Sequence, residues 1–476
     1  MHPLLIIIPI LLASSSAAAA QCHPDDEAGL LGFKSGILSD PSGMLSSWKK
    51  GSDCCKWLGI TCLSGTRVTA LYLSGQPNNR TTALSGTISP SLSKLSHLGG
   101  LYLLDLIHLS GPFPTLLFAL PALQYVYINN NNLSGPLPPD IGDKLARLDV
   151  LSLEANHFSG PIPASVGRRM ANLTRLQLGG NRLTGAIPAT IQQLRNLNQL
   201  RLERNQLSGP VPDFFAHLTQ LGWINLSHNR LTGSIPPSIS ALASTLSYLE
   251  MGHNSLTGQI PEFLGKFRAL DTLELSWNRL SGAVPKSFAN LTKIFNLDLS
   301  HNQLVDPFPQ MYVRGIESLD LSHNRFHLGS IPRWVTASPI IYSLKLAGCG
   351  IKMRLEEWKP AETYFYDYID LSENEITGSP VQLVNRTEYL VGFYASKNKL
   401  RFDFESMRRF PKSLKELDLS HNLVFGKVPG AASAPGLAKL NVSYNHLCGQ
   451  LPPTRFPSSA FAGNDCLCGP PLPKCM

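Results

Sequence analysis

Aromatic and arginine side chains recur at fixed offsets from leucines in this chain, and they are the side chains best equipped to recognise another molecule. Tyr125, Tyr127, Arg175, Gln177, Gln199, Arg201, Arg204, Trp223, Tyr248, Glu250 and Trp277 all fall between, or just beyond, apolar residues that alternate with them. Aromatics and arginine dominate binding hot spots because they present a large rigid surface or a planar fork of donors. The chemistry expected of them is non-covalent recognition on an exposed face. The candidates for catalysis are weaker. His228, His301, His323 and His421 recur inside L-S-H-N, and Asp298, Asp320, Asp370 and Asp418 inside L-D-L-S, so both sets read as repeat consensus. No H-E-x-x-H, G-x-S-x-G, G-x-x-x-x-G-K-[ST] or kinase signature occurs. The chain reads as a non-enzyme with no catalytic residue, no metal and no cofactor.

Those positions are set by a repeat. Leu148 to Pro163 reads LDVLSLEANHFSGPIP, and the same order returns from Leu173, Leu197 and Leu221, at intervals of 25, 24 and 24 residues. Period-2 alternation places Leu151 and Leu153 on the inner face of a short strand, with Ser152 between them facing solvent. Asn156 stands where the chain turns away, and its amide can bond its own and the neighbouring turn's backbone. Gly160 permits the next bend, and two prolines stiffen the return path. One such unit buries too little apolar surface to fold alone, so neighbours must stack. The period lies in the leucine-rich-repeat range. The expected fold is an α/β solenoid, a right-handed horseshoe or superhelix with a parallel sheet lining its concave face and disulfide-stapled caps.

About sixteen units run over residues 68–447, starting at Val68 and ending with the unit that begins at Leu437. The Ile294 unit is short, with VDPFPQ in place of the usual motif, and the Ile341 unit loses it, running CGIKMRLEEWKPAETYFYDY. Residues 1–20 read as a signal peptide, an apolar Pro3–Leu12 followed by small residues to Ala20. No later apolar run is long enough to span a bilayer, so a secreted protein is expected. Acceptor sequences for N-glycosylation begin at Asn79, Asn132, Asn172, Asn225, Asn290, Asn385 and Asn441. Asn225 and Asn441 fall between inward residues, where a glycan on the strand face would block binding. The net charge of +8 is scattered, without a nucleic-acid motif, and suits weak attraction to an acidic polysaccharide such as pectin no better than it suits a merely solvated basic surface.

Residues 21–67 read as an N-terminal cap. Asp25 or Asp26 can cap a helix whose apolar face includes Leu30, Phe33 and Ile37, and Cys54, Cys55 and Cys62 follow. The series Cys22, Leu30-Leu31, Lys34, Trp48 and CCKWLGITC (Cys54 to Cys62) resembles the N-terminal cap of plant extracellular leucine-rich-repeat proteins. Residues 448–476 hold Cys448, Cys466, Cys468 and Cys475, and their LCG…CLCGPPLPKC order resembles the C-terminal cap of polygalacturonase-inhibiting proteins. The resemblance implies disulfides Cys22–Cys54, Cys55–Cys62, Cys448–Cys466 and Cys468–Cys475. Cys349, the ninth cysteine, occupies the slot that Asn156 holds in its own repeat.

The resemblance also implies function: a secreted recognition protein of plant defence or the cell wall, inhibiting a microbial polygalacturonase through its concave face. The partner would be that cell-wall-degrading enzyme. The alternative is a soluble receptor-like module that binds a peptide or wall polysaccharide and pairs with a receptor kinase ectodomain.

Overall fold

The computed structural model describes residues 22–63, 66–76, 83–313 and 315–475. The signal peptide expected over residues 1–20 and the acceptor sequence at Asn79 lie outside them. The chain divides into two units, residues 1–134 and residues 135–476.

In the first unit, helix Pro24–Ser35 buries Leu30 and Phe33 completely. Its cap is not an aspartate. Pro24 occupies the first helical turn, which moves the cap back to His23, whose ring accepts from the Asp25 amide at 3.2 Å. Asp26 is instead fully buried, held by Arg67 Nη2 and Nε at 2.9 and 3.0 Å and by the Val68 amide at 2.8 Å. Ile37 also departs from expectation: the helix ends at Ser35, and Ile37 begins strand Ile37–Ser39. Lys34 donates to the carbonyls of Leu45 and Trp48, and Trp48 stacks on Trp57. Bridges Cys22–Cys54 and Cys55–Cys62 close the cap. The sulfurs of Cys22, Cys54 and Cys55 cluster closely enough for a metal, but the disulfides consume all three. Strand Arg67–Ser74 runs antiparallel to Ile60–Leu63 and parallel to Gly100–Leu104, which pairs with Tyr125–Asn129.

In the second unit, three-residue strands stack in parallel and in register, one per repeat, from Val150–Ser152 to Lys439–Asn441. The middle residue of each, such as Leu176, Leu200, Ile224 and Leu249, is fully buried because the x-L-x alternation points it inward. A second parallel ladder runs through the S-G motifs from His157–Pro161 to Gln303–Val305. It breaks where the motif is lost. From Val305 to Thr377 only single residue pairs remain among the described residues, before Thr377–Gly378 pairs with Lys399–Leu400. The inner strands continue unbroken through the same repeats. The C-terminal ladder ends on Cys466–Cys468, with bridges Cys448–Cys466 and Cys468–Cys475.

A column of asparagine side chains runs between the two ladders. Asn181 donates to the carbonyls of Leu153 and Leu178 at 2.9 and 3.0 Å and accepts from the Phe158 amide at 3.0 Å. Asn205, Asn229, Asn254, Asn278 and Asn302 repeat that pattern. In this column Cys349 places its sulfur 3.4 Å from the Leu321 carbonyl, and burial pushes its thiol well above the usual range. The folded protein is therefore expected to take up no thiol reagent at Cys349, and one equivalent after unfolding without reductant, read by mass spectrometry. Rapid labelling of the folded protein would show that the column is open there.

Candidate functional site

Each repeat directs three positions to the strand face: the two outer residues of its strand and the residue just before the column asparagine. That last residue sits at positive φ, as at Arg204 (53°), His228 (54°) and Trp277 (50°), a conformation costly for residues other than glycine. Backbone bonds to the next repeat hold it there: His228 N–H to Gly252 O at 2.9 Å, and Trp277 N–H to Ser300 O at 3.0 Å.

In the first unit, Tyr125 is exposed, and Tyr127 stacks on Tyr102, which tilts against Tyr72. In the second unit, Arg175 and Arg204 are exposed. Arg201 is half-buried, 3.2 Å from Glu154 and 2.9 Å from Glu203, with its guanidinium over the Trp223 ring at 5.0 Å. Its charge is therefore balanced inside the protein. Trp223 packs against Tyr248, and Trp277 is 50% exposed.

Three positions differ from expectation. Ser152 is fully buried rather than solvent-facing, because in register it lies beside the longer Gln177. Gln177 is itself only 8% exposed, as its amide donates to Gln199 at 3.0 Å. Asn225 is equally covered: its amide nitrogen donates to the Glu250 carboxylate and its oxygen accepts from Ser227. The nitrogen that would carry a glycan is thus engaged. Asn441 is half-buried and bonds Asp418 at 3.3 Å, whereas Asn132, Asn172, Asn290 and Asn385 are exposed.

Sequence reasoning marked one member of each of two rows, Trp277 and Glu250, and missed the rows themselves. The first is a stack of rings in the positive-φ slot. His228 lies 4.0 Å from His253, His253 5.5 Å from Trp277, Trp277 3.8 Å from His301, and His301 4.4 Å from His323, centroid to centroid. Sheet spacing sets such intervals, since one residue per repeat falls on one line. The signal was present in the recurrent HN dipeptide and the single WN at Trp277, which consensus alone also explains. Burial lowers the imidazole pKa of His228, His253 and His301 and favours neutral, stacking rings.

The second row is acidic: Glu250, Glu274, Asp298 and Asp320 occupy the same register position in consecutive strands. Burial, with the neighbouring Glu274 and Glu203 charges, pushes Glu250 up to about 7. Burial and Asp298 raise Asp320 to about 6, and burial raises Glu274. For Glu250 the sign is that of a raised acid. Its contribution is fully present below the unfolded value and is lost as pH rises through about 7. Glu250→Gln should therefore match the parent at about pH 5. It should be more stable by about 1–2 kcal/mol near pH 8, after discounting for its partial exposure. Thermal melts at the two pH values check this; an equal change at both would sink it.

Where the rows meet, the second unit forms an open depression of about 580 Å³. His253, Trp277, His301 and His323 line it beyond the strands' C-terminal ends. Tyr342 and Tyr368 line it at their N-terminal ends, and Asp298, Asp320, Lys345 and Asp370 lie between. Lys345 reaches within 3.5 Å of Asp320 and so offsets part of the acidic charge. Aromatic faces beside carboxylates suit a ligand segment that combines flat apolar surface with positive charge.

Models of the leucine-rich repeat match residues 171–231 and 244–304, and again 122–143 and 315–337; a leucine-rich-repeat N-terminal domain matches 23–63. The chain carries leucine-rich repeats. Among curated relatives, polygalacturonase inhibitor 2 of Arabidopsis thaliana is 40% identical over 113 residues, 22% of this chain and 33% of that one. Receptor-like protein 7 of the same plant is 32% identical over 143 residues, 28% of this chain and 13% of that one. The aligned stretches thus span about a third or less of these relatives. Among solved leucine-rich-repeat structures, the Arabidopsis receptor kinase HAESA, in complex with the peptide hormone IDA and the co-receptor SERK1, matches with a TM-score of 0.74 at 29% identity. That match covers 90% of this chain and 71% of that one. No helix among the described residues is long and apolar enough to cross a membrane.

Proposed function

We propose that this is an extracellular recognition protein whose strand face in the 135–476 unit binds a protein or peptide ligand. The observation that carries the reading is the depression between the His–Trp stack and the tyrosines, where rings and carboxylates share one open face. Its specific form is inhibition of a microbial polygalacturonase, supported by the 40% identity to a polygalacturonase inhibitor. Incubation with a panel of fungal polygalacturonases should then slow pectin hydrolysis and yield a stable complex. Full activity and no complex across the panel would overturn the inhibitor form. The second reading, a module that binds a peptide and pairs with a receptor kinase ectodomain, is favoured by the likeness to a receptor bound to its peptide hormone. Affinity capture from wall extracts separates the two readings by whether an enzyme or a peptide with a receptor ectodomain is recovered. Trp277→Ala is the sharper surface test, because Trp277 is half exposed while Arg201 is tied between two glutamates. It should weaken binding about tenfold or more; unchanged binding would put the ligand on another surface.

A further inference from the structure

The first unit holds a depression of its own, about 480 Å³, between the cap and the first repeat. Its walls are apolar: Met44 from the loop after strand Ile37–Ser39, Leu58 just before strand Ile60–Leu63, and Tyr72 and Leu73 from strand Arg67–Ser74. Ser42, Ser74 and Gln76 supply the polar side chains, and none of the nine described residues that line it carries a charge. The depression of the second unit is lined instead by Asp298, Asp320, Lys345 and Asp370.

Backbone bonds fix these walls. Asp40 accepts from the Met44 and Leu45 amides at 2.9 and 2.7 Å, which holds the loop. The Leu58 N–H donates to Ser47 Oγ at 3.0 Å and its carbonyl accepts from Trp48 Nε1 at 3.0 Å, yet Leu58 is 60% exposed. A Cβ on Gly59 would lie 2.2 Å from the Tyr72 carbonyl oxygen, and one on Gly75 2.2 Å from that of Asp105, so both glycines let the walls approach. A rigid, exposed leucine beside an exposed tyrosine is apolar surface that the fold keeps out of its core.

A row of rings ends at this depression. Tyr72, Tyr102 and Tyr127 occupy one register position in three successive parallel strands. Tyr102 stacks on Tyr127 with centroids 5.3 Å apart, and Tyr72 follows at 5.8 Å. The strand beyond it, Ile60–Leu63, runs antiparallel and places Gly59 beside Tyr72, whose N–H donates to the Gly59 carbonyl at 2.7 Å. No fourth ring covers Tyr72, which is 51% exposed while Tyr102 and Tyr127 are half-buried. Aromatic rings pair favourably at such spacings, and a thioether such as that of Met44 adds contact at a ring edge.

We propose that this depression binds a small uncharged phenolic of two or three rings, one ring extending the tyrosine row at Tyr72 and its hydroxyls on Ser42, Ser74 and Gln76. A depression of this volume suits a molecule of that size. A carboxylate or ammonium would find no counter-charge, and a saccharide brings more hydroxyls than three polar side chains can satisfy. The site belongs to the first unit and stands whether or not the strand face of the 135–476 unit binds a protein or peptide.

The test uses the whole chain at about pH 6 with naringenin, a three-ring phenolic that is uncharged there, and reads binding by calorimetry. One equivalent should bind. Tyr72→Ala should cost about tenfold or more in affinity, whereas Tyr72→Phe, which keeps the ring, should stay within about threefold of the parent. Both variants should melt with the parent, since Tyr72 is exposed. A sulfate ester of naringenin, which adds charge to the same rings, should bind about tenfold more weakly or worse. Naringenin that fails to bind, or that binds Tyr72→Ala unchanged, overturns the proposal. Equal affinity for the sulfate ester overturns it too, because the uncharged lining would then select nothing. N-acetyltyrosinamide or cellotetraose binding as tightly as naringenin would give the site to a protein side chain or a saccharide, and either result overturns it as well.

Discussion

Asn278→Ala is expected to destabilise the 135–476 unit by about 3 kcal/mol or more. The Asn278 amide donates to the Met251 carbonyl at 3.0 Å, and its oxygen accepts from the Leu256 amide at 2.8 Å. Both partners belong to the preceding repeat. Alanine leaves a buried N–H and a buried carbonyl without a partner, each costing about 1–3 kcal/mol. Because stacked repeats gain stability from their neighbours, the loss should fall on the repeat interface. Urea unfolding of the variant against the parent measures it, with exposed Asn290→Ala as the control. A loss below about 1 kcal/mol would mean that water enters the column and replaces the amide.

Asp26→Ala should cost the N-terminal unit about 3–5 kcal/mol. The carboxylate is fully buried, and it satisfies the Arg67 guanidinium and the Val68 amide together. Removing it strands a largely buried cation; losing the pair as a whole is milder, since the desolvation of both charges also disappears. Asp26→Ala with Arg67→Met should therefore be more stable than Asp26→Ala alone. The same ordering of urea midpoints would be absent if Asp26 mattered only through the helix. A double variant no better than the single one would overturn the ion-pair account.

The repeat and its inward residues were legible because each is fixed by a local rule. Alternation decides that Leu176 and Leu200 are buried, and a turn that must satisfy its own backbone decides that asparagine follows. The cap helix shows where such rules run out. Two aspartates beside a proline are both reasonable caps, and the choice of His23 depended on Pro24 taking the first turn, while Asp26 was claimed by Arg67, 41 residues away. The candidate face shows the same limit. Arg201, Trp223 and Trp277 were found from their type, but type does not say that Arg201 is neutralised by Glu154 and Glu203 while Trp277 stands open.

The sequence by itself determined the repeat and the line of outward positions, because both follow from spacing along the chain; the cysteine pairing of the caps came from their resemblance to a known family. Only the tertiary structure decided which of those positions are available. Stacking brings residues about 24 apart to within about 5 Å of each other, so the surroundings of each side chain are set by the repeats on either side. Gln177 is thereby buried, Asn225 is engaged by Glu250, and histidines that read as consensus become a stacked wall beside an acidic row. Register across repeats, rather than residue type, separates the residues that hold the ladder together from those a ligand can reach.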